Sequence, residues 1–280
     1  PDGTKLSKRK NPTSVFYYER AGFLAQALLN YLGQLGWSMP NSQQEKFTLG
    51  EMVEAFTVKN PEHGVQNGID RVSTGGPIFD RDKLTALNSE YIAELDPGVF
   101  FERISQWVEK TYLRDVATLI QSRTKTLGDM ASLAGHFFMD VPTYAKGDLI
   151  TKQMDADATL HALHYIQWQL DALRSWTVEE IKGCFEFIAG AMEVRQRHFN
   201  KPFFVAMSGS TVSTPLYESM HLLGADLSRV RIRHAIYVLT AQDNGSANLP
   251  GKKAIKRMEK AYQALRVTEN SRGGETHEGA

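Results

Sequence analysis

The sequence predicts an all-α fold. Apolar side chains recur at three- and four-residue spacing along most of the chain, several helix starts carry paired capping residues, and no stretch reads as a reliable strand or a fixed-period repeat.

Taken in order, residues 14–21 and 23–35 place aromatic and aliphatic side chains on helical stripes, with Gly22 as the break between two helices. Thr48 opens Thr-Leu-Gly-Glu, a capping box in which the threonine hydroxyl and the Glu51 carboxylate satisfy free N–H groups reciprocally, so a helix is predicted over 49–56. The following twenty residues hold Pro61, Gly64, Gly68, Gly75, Gly76 and Pro77 and predict a long loop of the kind that is functional or mobile. Asp80 starts a second capped helix over 79–92. Helices are then expected over 96–112, 113–121, 126–138, 155–173 and 177–197, the last introduced by a box of Thr177 with Glu180. A polar linker covers 242–250, a basic amphipathic helix 252–266, and the Gly/Glu-rich end from 270 is expected to be disordered.

The chain is an ordinary globular one in composition: 280 residues, 42% hydrophobic and 23% charged, enough for two or more small cores. No segment approaches the ~20 apolar residues that span a bilayer. The single cysteine, Cys184, excludes an internal disulfide and a multi-cysteine zinc site, and its setting, Ile-Lys-Gly-Cys-Phe-Glu-Phe, predicts a buried thiol rather than a nucleophile; a reducing cytoplasm is the expected compartment. Formal net charge is zero, so nucleic-acid binding has to come from local basic clusters. Those at Arg195, Arg197 and Lys201, and at Arg229, Arg231 and Arg233, are expected to meet phosphates.

Three patterns bear on chemistry. Lys5, Lys8, Arg9 and Lys10 surround Ser7 in a short donor-rich loop suited to phosphate oxygens, although a solvated basic terminus has the same letters. Asp157, His161 and His164 share a helix face, but three ligands on one helix without a fourth make a poor zinc site, and a packing helix is expected. The turn 208–214 offers Ser208, Ser210, Thr211, Ser213 and Thr214, whose hydroxyls and free N–H groups suit splayed bases, with Phe203, Phe204 and Tyr217 available to stack; a hydroxyl-rich helix start over core aromatics is the structural alternative.

The exact letters of these stretches resemble bacterial glutamyl-tRNA synthetases. Lys5-Leu6-Ser7-Lys8-Arg9 is similar to the second signature loop of class I aminoacyl-tRNA synthetases, and the family also continues into a Tyr-rich helix (Tyr17, Tyr18), a Gly22-Phe23-Leu24 turn and a Leu-Leu-Asn-Tyr-Leu helix ending Leu35-Gly36-Trp37-Ser38. Gly75, Gly76, Phe79, Asp80, Lys83, Leu84, Leu87 and Asn88 match a second family segment, with Ala86 in place of the usual tryptophan. Lys201 to Gly224 matches a third, with Phe204 where many relatives have arginine.

The resemblance implies a helical stem-contact region followed by a helical anticodon-binding cage, whereas glutaminyl enzymes use β-barrels. It divides the chain into 1–12, the end of a catalytic domain; 13–95, stem-contacting; 96–140 and 141–240, two anticodon-binding subdomains; and 241–280, a basic, partly disordered tail. It implies glutamate activation by ATP and Mg²⁺ and esterification of tRNA(Glu), by a monomer, with Lys5 and Lys8 steadying the phosphates and Leu6, Ser7 and Arg9 shaping the ATP loop. No His-Ile-Gly-His signature occurs, so the chain by itself is expected not to form glutamyl-adenylate. Lys83, Asn88, Ser208, Ser210, Ser213, Thr214 and Leu216 are the implied tRNA contacts. Arg123, three residues before Thr126-Leu127, best matches the arginine with which discriminating members read the third anticodon base; a slip of register would move that role to Lys125. The alternative of another class is a non-catalytic helical RNA- or protein-binding module that retains the loop.

Overall fold

The computed structural model describes residues 14–40, 44–56, 72–73, 78–211, 213–241 and 249–273. Among them there is no strand, Thr151 and Met154 form an isolated bridge, and the chain separates into two compact units, 1–111 and 112–280.

In the first unit, α1 (Val15–Arg20) ends where Gly22 takes φ +82°, a left-handed conformation that glycine adopts without steric cost. The Phe23 N–H then reaches back to the Tyr18 carbonyl and the Gly22 N–H to that of Glu19, closing a Schellman-type turn. The chain re-enters α2 (Ala25–Gln34), so the Gly22 break predicted from the sequence is found. α3 (Leu49–Phe56) begins with the predicted box: the Glu51 N–H donates to Thr48 Oγ1 at 3.1 Å and the Thr48 N–H to Glu51 Oε2 at 2.7 Å. Asp80 caps α4 (Arg81–Ala93) by accepting from the N–H groups of Asp82 and Lys83. An aromatic core of Tyr17, Tyr18, Tyr31 and Phe79 joins α1, α2 and the entry to α4, with ring centroids 5.0–6.0 Å apart. The Tyr31 hydroxyl also accepts the Asp80 N–H at 2.6 Å, which fixes the start of α4 on α2. α5 (Pro97–Thr111) is pinned to the end of α1 by Trp107, whose Nε1 donates to the Glu19 carbonyl at 2.8 Å.

The second unit is built on α8 (Ala156–Asp171), α9 (Val178–Ala191), α11 (Lys201–Ser208) and α12 (Leu216–Thr240), whose inward faces carry fully buried Leu163, Ile166, Ile181, Phe185, Phe203 and Ile232. The smaller elements around them are α6 (Leu113–Ile120), α7 (Met130–Ala134) and α10 (Gln196–Phe199). α8 is capped by Asp155, and α9 by Thr177, which accepts the Glu180 N–H. Gly224 kinks α12 at φ +79°, ψ 166°, and the Met220 carbonyl just before the kink accepts from Trp176 Nε1 and Ser228 Oγ. Cys184 lies in the α9 core, and burial pushes its thiol up to about 11, which keeps it neutral. α13 (Lys252–Gly273) packs on α8 through Tyr262, and its Met258 is buried as well.

Three predicted helices differ. The stretch 126–138 is not one helix: it is a 3-10 turn at Leu127–Asp129, α7, and a second 3-10 turn at Gly135–Phe138. Phe137 is fully buried and Tyr112 donates its hydroxyl to the Phe137 carbonyl, so tertiary packing overrides a weak five-residue helix here. The helix expected over 177–197 ends at Ala191, where Glu193 takes φ +57° and the Val194 N–H bonds to the Ala189 carbonyl, before α10 begins. The last helix runs on to Gly273, beyond the boundary expected near 266 and into the stretch from 270 expected to be disordered.

Candidate nucleic-acid interface

Two segments singled out in the sequence, about Arg123 and about 208–216, meet in the second unit. α6 continues through a 3-10 turn at Gln121–Arg123, and the guanidinium that emerges there donates from Nη1 to the Ser213 carbonyl at 2.6 Å, across 90 residues of sequence. Beyond it, Asp129 Oδ2 accepts the N–H groups of Lys125 and Thr126 at 2.8 and 2.9 Å, which fixes the turn. The same bonds, Thr126 first and Lys125 next, hold the Asp129 carboxyl below its usual range. This turn presents Leu127 with 94% of its surface exposed.

The facing turn follows α11. Gly209 takes φ +75°, and a Cβ there would stand 3.1 Å from Pro142 Cβ and 3.3 Å from the Thr143 carbonyl, so both backbone angle and space call for glycine. Ser208 Oγ donates to the Phe204 carbonyl at 2.8 Å and accepts the Ser210 N–H at 3.3 Å. Ser210 and Thr211 are exposed and Ser213 half-buried. Thr214 is only 1% exposed: its Oγ1 lies 2.6 Å from Ser219 Oγ and 3.3 Å from His136 Nε2. Leu216 is buried as the first residue of α12. The reachable groups of the turn are therefore Ser210, Thr211 and Ser213, while Thr214 and Leu216 position it from below.

The aromatics offered for stacking are differently placed. Phe203 is fully buried against Phe185, with centroids 4.7 Å apart, so it serves the core. The Tyr217 hydroxyl accepts from Gln196 Nε2 and Asn200 Nδ2, and its ring packs on Phe185 at 5.4 Å.

The arginines of α12 require a correction. Arg231 is fully buried and cannot reach a phosphate: Nε donates to the Asp140 carbonyl at 2.8 Å, Nη2 to those of His136 and Met139 at 2.7 and 2.5 Å, and Nη1 to that of Met207. Arg229 is taken up by Asp171 at 2.8 Å, the Leu170 carbonyl and Asp226. Alternate residues of a helix lie about 200° apart, so Arg231 faces away from Arg229 and Arg233. Arg195, Arg197 and Lys201, by contrast, are exposed. His198 among them is pushed below its ordinary pKa by partial burial and then by the charges of Arg197, Lys201 and Arg195, the sign of a locally positive surface.

His136 carried no signal in the sequence, and Arg231 was read there only as part of a basic cluster. Burial first, and the Arg231 charge second, lower His136 to about 4; burial, then His161, does the same for His164. Between pH 6.5 and 4 the unfolded chain binds these protons and the folded chain does not. Stability is therefore fully present above pH 6.5 and falls as pH drops towards 4, by about 3 kcal/mol for each imidazole. Urea unfolding of the wild type and of His136→Asn at pH 7 and pH 4 checks this, the variant losing less on acidification.

In the first unit Lys83 is exposed, its Nζ 3.6 Å from Glu45 Oε1. Asn88 is buried and its Oδ1 accepts the Leu24 N–H at 2.8 Å, which ties α4 to the start of α2. Ala86 is exposed, so alanine at this place leaves no cavity. In α8, His161 Nδ1 bonds to the Asp157 carbonyl at 2.7 Å and His164 packs on Trp168; no group of metal-ligating side chains occurs among the described residues. Among them, too, no helix is long and apolar enough to cross a membrane. Lys5, Leu6, Ser7, Lys8 and Arg9 lie outside the described residues, as do Val212 and most of the predicted loop 57–77.

Comparison with known proteins identifies two segments of the chain. Residues 99–236 match the anticodon binding domain family, and residues 1–71 match the catalytic domain of class I tRNA synthetases of the E and Q type. The chain is 39% identical over 267 residues to a glutamate–tRNA ligase of Marinomonas sp. (strain MWYL1), covering 95% of this chain and 50% of that protein. It is 41% identical over 265 residues to that of Pseudoalteromonas translucida, covering 94% and 49%. The chain thus spans about half the length of the curated relatives it matches.

Proposed function

We propose, from the premise that the chain belongs to the glutamate–tRNA ligase family, that its second unit recognises the anticodon of tRNA(Glu) and that the whole protein joins glutamate to that tRNA. The observation that carries the reading is the Arg123 to Ser213 bond. It sets a planar fork of donors beside a turn with accessible hydroxyls, inside the segment that matches an anticodon-binding domain. Single-stranded bases are read by such edges, and a fixed guanidinium supplies a geometry that lysine cannot.

In this reading ATP with Mg²⁺ is a substrate of the whole cytoplasmic enzyme, and Lys5 and Lys8 contact its phosphates. Lys83 meets the tRNA backbone, and the exposed Arg195, Arg197 and Lys201 meet phosphates. Asn88, Thr214 and Leu216 act by positioning α2 and the reading turn. Filter binding tests the proposal. The chain is expected to hold tRNA(Glu) in a complex that weakens as salt rises and to prefer it to an unrelated tRNA. Equal binding of both, or no dependence on salt, refutes it.

A further inference from the structure

We infer that the outer face of α13 is a second contact for the tRNA, one that grips the phosphate backbone electrostatically. The inference rests on the tRNA-binding reading above. Lys252, Lys253, Lys256, Arg257 and Lys260 are all exposed. At 100° per residue they occupy one sector of about 140°, and Lys252, Lys256 and Lys260 climb the helix in steps of about 6 Å. Between 252 and 260 the only carboxylate is Glu259, and none of the five cations forms an ion pair with a described residue.

The opposite sector is what holds the helix in place. Met258 and Tyr262 are 6% and 3% exposed, and the Tyr262 hydroxyl donates to Gln169 Oε1 at 2.5 Å. The Tyr262 ring lies 5.6 Å from that of Tyr165 and 5.4 Å from that of Trp168 on α8. The cations are thus mounted on a docked helix rather than on a loose tail, and less ordering has to be supplied on binding.

The same packing selects the partner. A basic amphipathic helix that lies on a membrane buries its apolar face among lipids, and here that face is already occupied by α8. What remains is a nearly pure stripe of positive charge on a chain whose formal net charge is zero. A polyanion with regularly spaced charges fits it, and the RNA proposed above as the ligand of the second unit is such a polyanion.

The test is filter binding of the chain to a tRNA(Glu) transcript across a salt series, comparing wild type with a Lys253→Gln, Lys256→Gln, Arg257→Gln, Lys260→Gln variant. Loss of four phosphate contacts should weaken binding roughly tenfold near physiological salt and make the slope of log K against log salt shallower by about 3. A matching variant carrying arginine at the three lysines should bind as wild type does. Should the glutamine variant lose helix by circular dichroism, Lys256→Gln and Lys260→Gln singly decide the matter, each expected to lower the slope by about 0.7. Wild-type affinity and slope in the glutamine variants overturn the inference while leaving the anticodon reading intact. No binding of tRNA by the wild type removes both. Charge-dependent binding to phosphatidylserine vesicles with unchanged tRNA binding assigns the face to a membrane and overturns the inference.

Discussion

Arg231→Met is expected to destabilise the second unit by about 3–5 kcal/mol, because several buried carbonyls lose their donor at once, each at a cost of roughly 1–3 kcal/mol. The guanidinium is fully buried and its charge is solvated by the carbonyls of His136, Met139, Asp140 and Met207. The first three close the segment that follows α7, and the last belongs to α11 just ahead of the reading turn. One side chain on α12 therefore ties the segment after α7 to the end of α11. Methionine fills most of the volume but leaves the carbonyls in an apolar pocket without these donors. Lysine should recover only part of the loss, because an ammonium cannot reproduce the planar fork. Arg197→Ala, at an exposed position, should stay within about 0.5 kcal/mol of wild type. Urea unfolding checks all three; equal midpoints for Arg231→Met and Arg197→Ala contradict the account.

Arg123→Gln in the whole enzyme is expected to narrow the preference for glutamate over glutamine tRNA by roughly 1–3 kcal/mol, the range for a bidentate base contact in DNA recognition. A guanidinium carries five N–H donors, and Ser213 takes up one of them here. The bond holds the side chain in place while leaving donors for a base edge. Arg123→Lys should fall with the glutamine variant rather than with wild type, since it keeps the charge and loses the fork. Competitive charging of the two tRNAs reads the ratio directly. The same ratio for wild type and Arg123→Gln would show that the guanidinium serves only to brace the turn.

Much of the helical framework was legible because its signals are local. Thr48 with Glu51, Asp80 and Thr177 cap where the letters say they do, and Gly22 breaks the chain through its own φ. The failures have non-local or atypical causes. The C-terminal turn of α9 uses Glu193 in a left-handed conformation where glycine is usual, so no residue type announces the end of that helix. The segment 126–138 has helical spacing, yet its shape follows from Phe137 and Tyr112 packing across the chain.

At the site, the hydroxyl-rich turn and Arg123 were both visible as motifs, but their meeting depends on the fold. So does the division of the turn into exposed Ser210 and Thr211 and buried Thr214. Arg231 shows the opposite error. Arg-Val-Arg-Ile-Arg reads as a basic cluster by composition, although helical geometry alone turns its middle arginine away from the other two.

An amide chemical-shift map of the chain titrated with the isolated anticodon stem-loop of tRNA(Glu) tests the central claim most directly. Shifts are predicted at Arg123, Thr124 and Lys125 and at Ser210, Thr211 and Ser213, weakened when the third anticodon base is changed. Shifts confined to other surfaces, or a map indifferent to that base, would contradict the assignment of this turn as the anticodon-reading face.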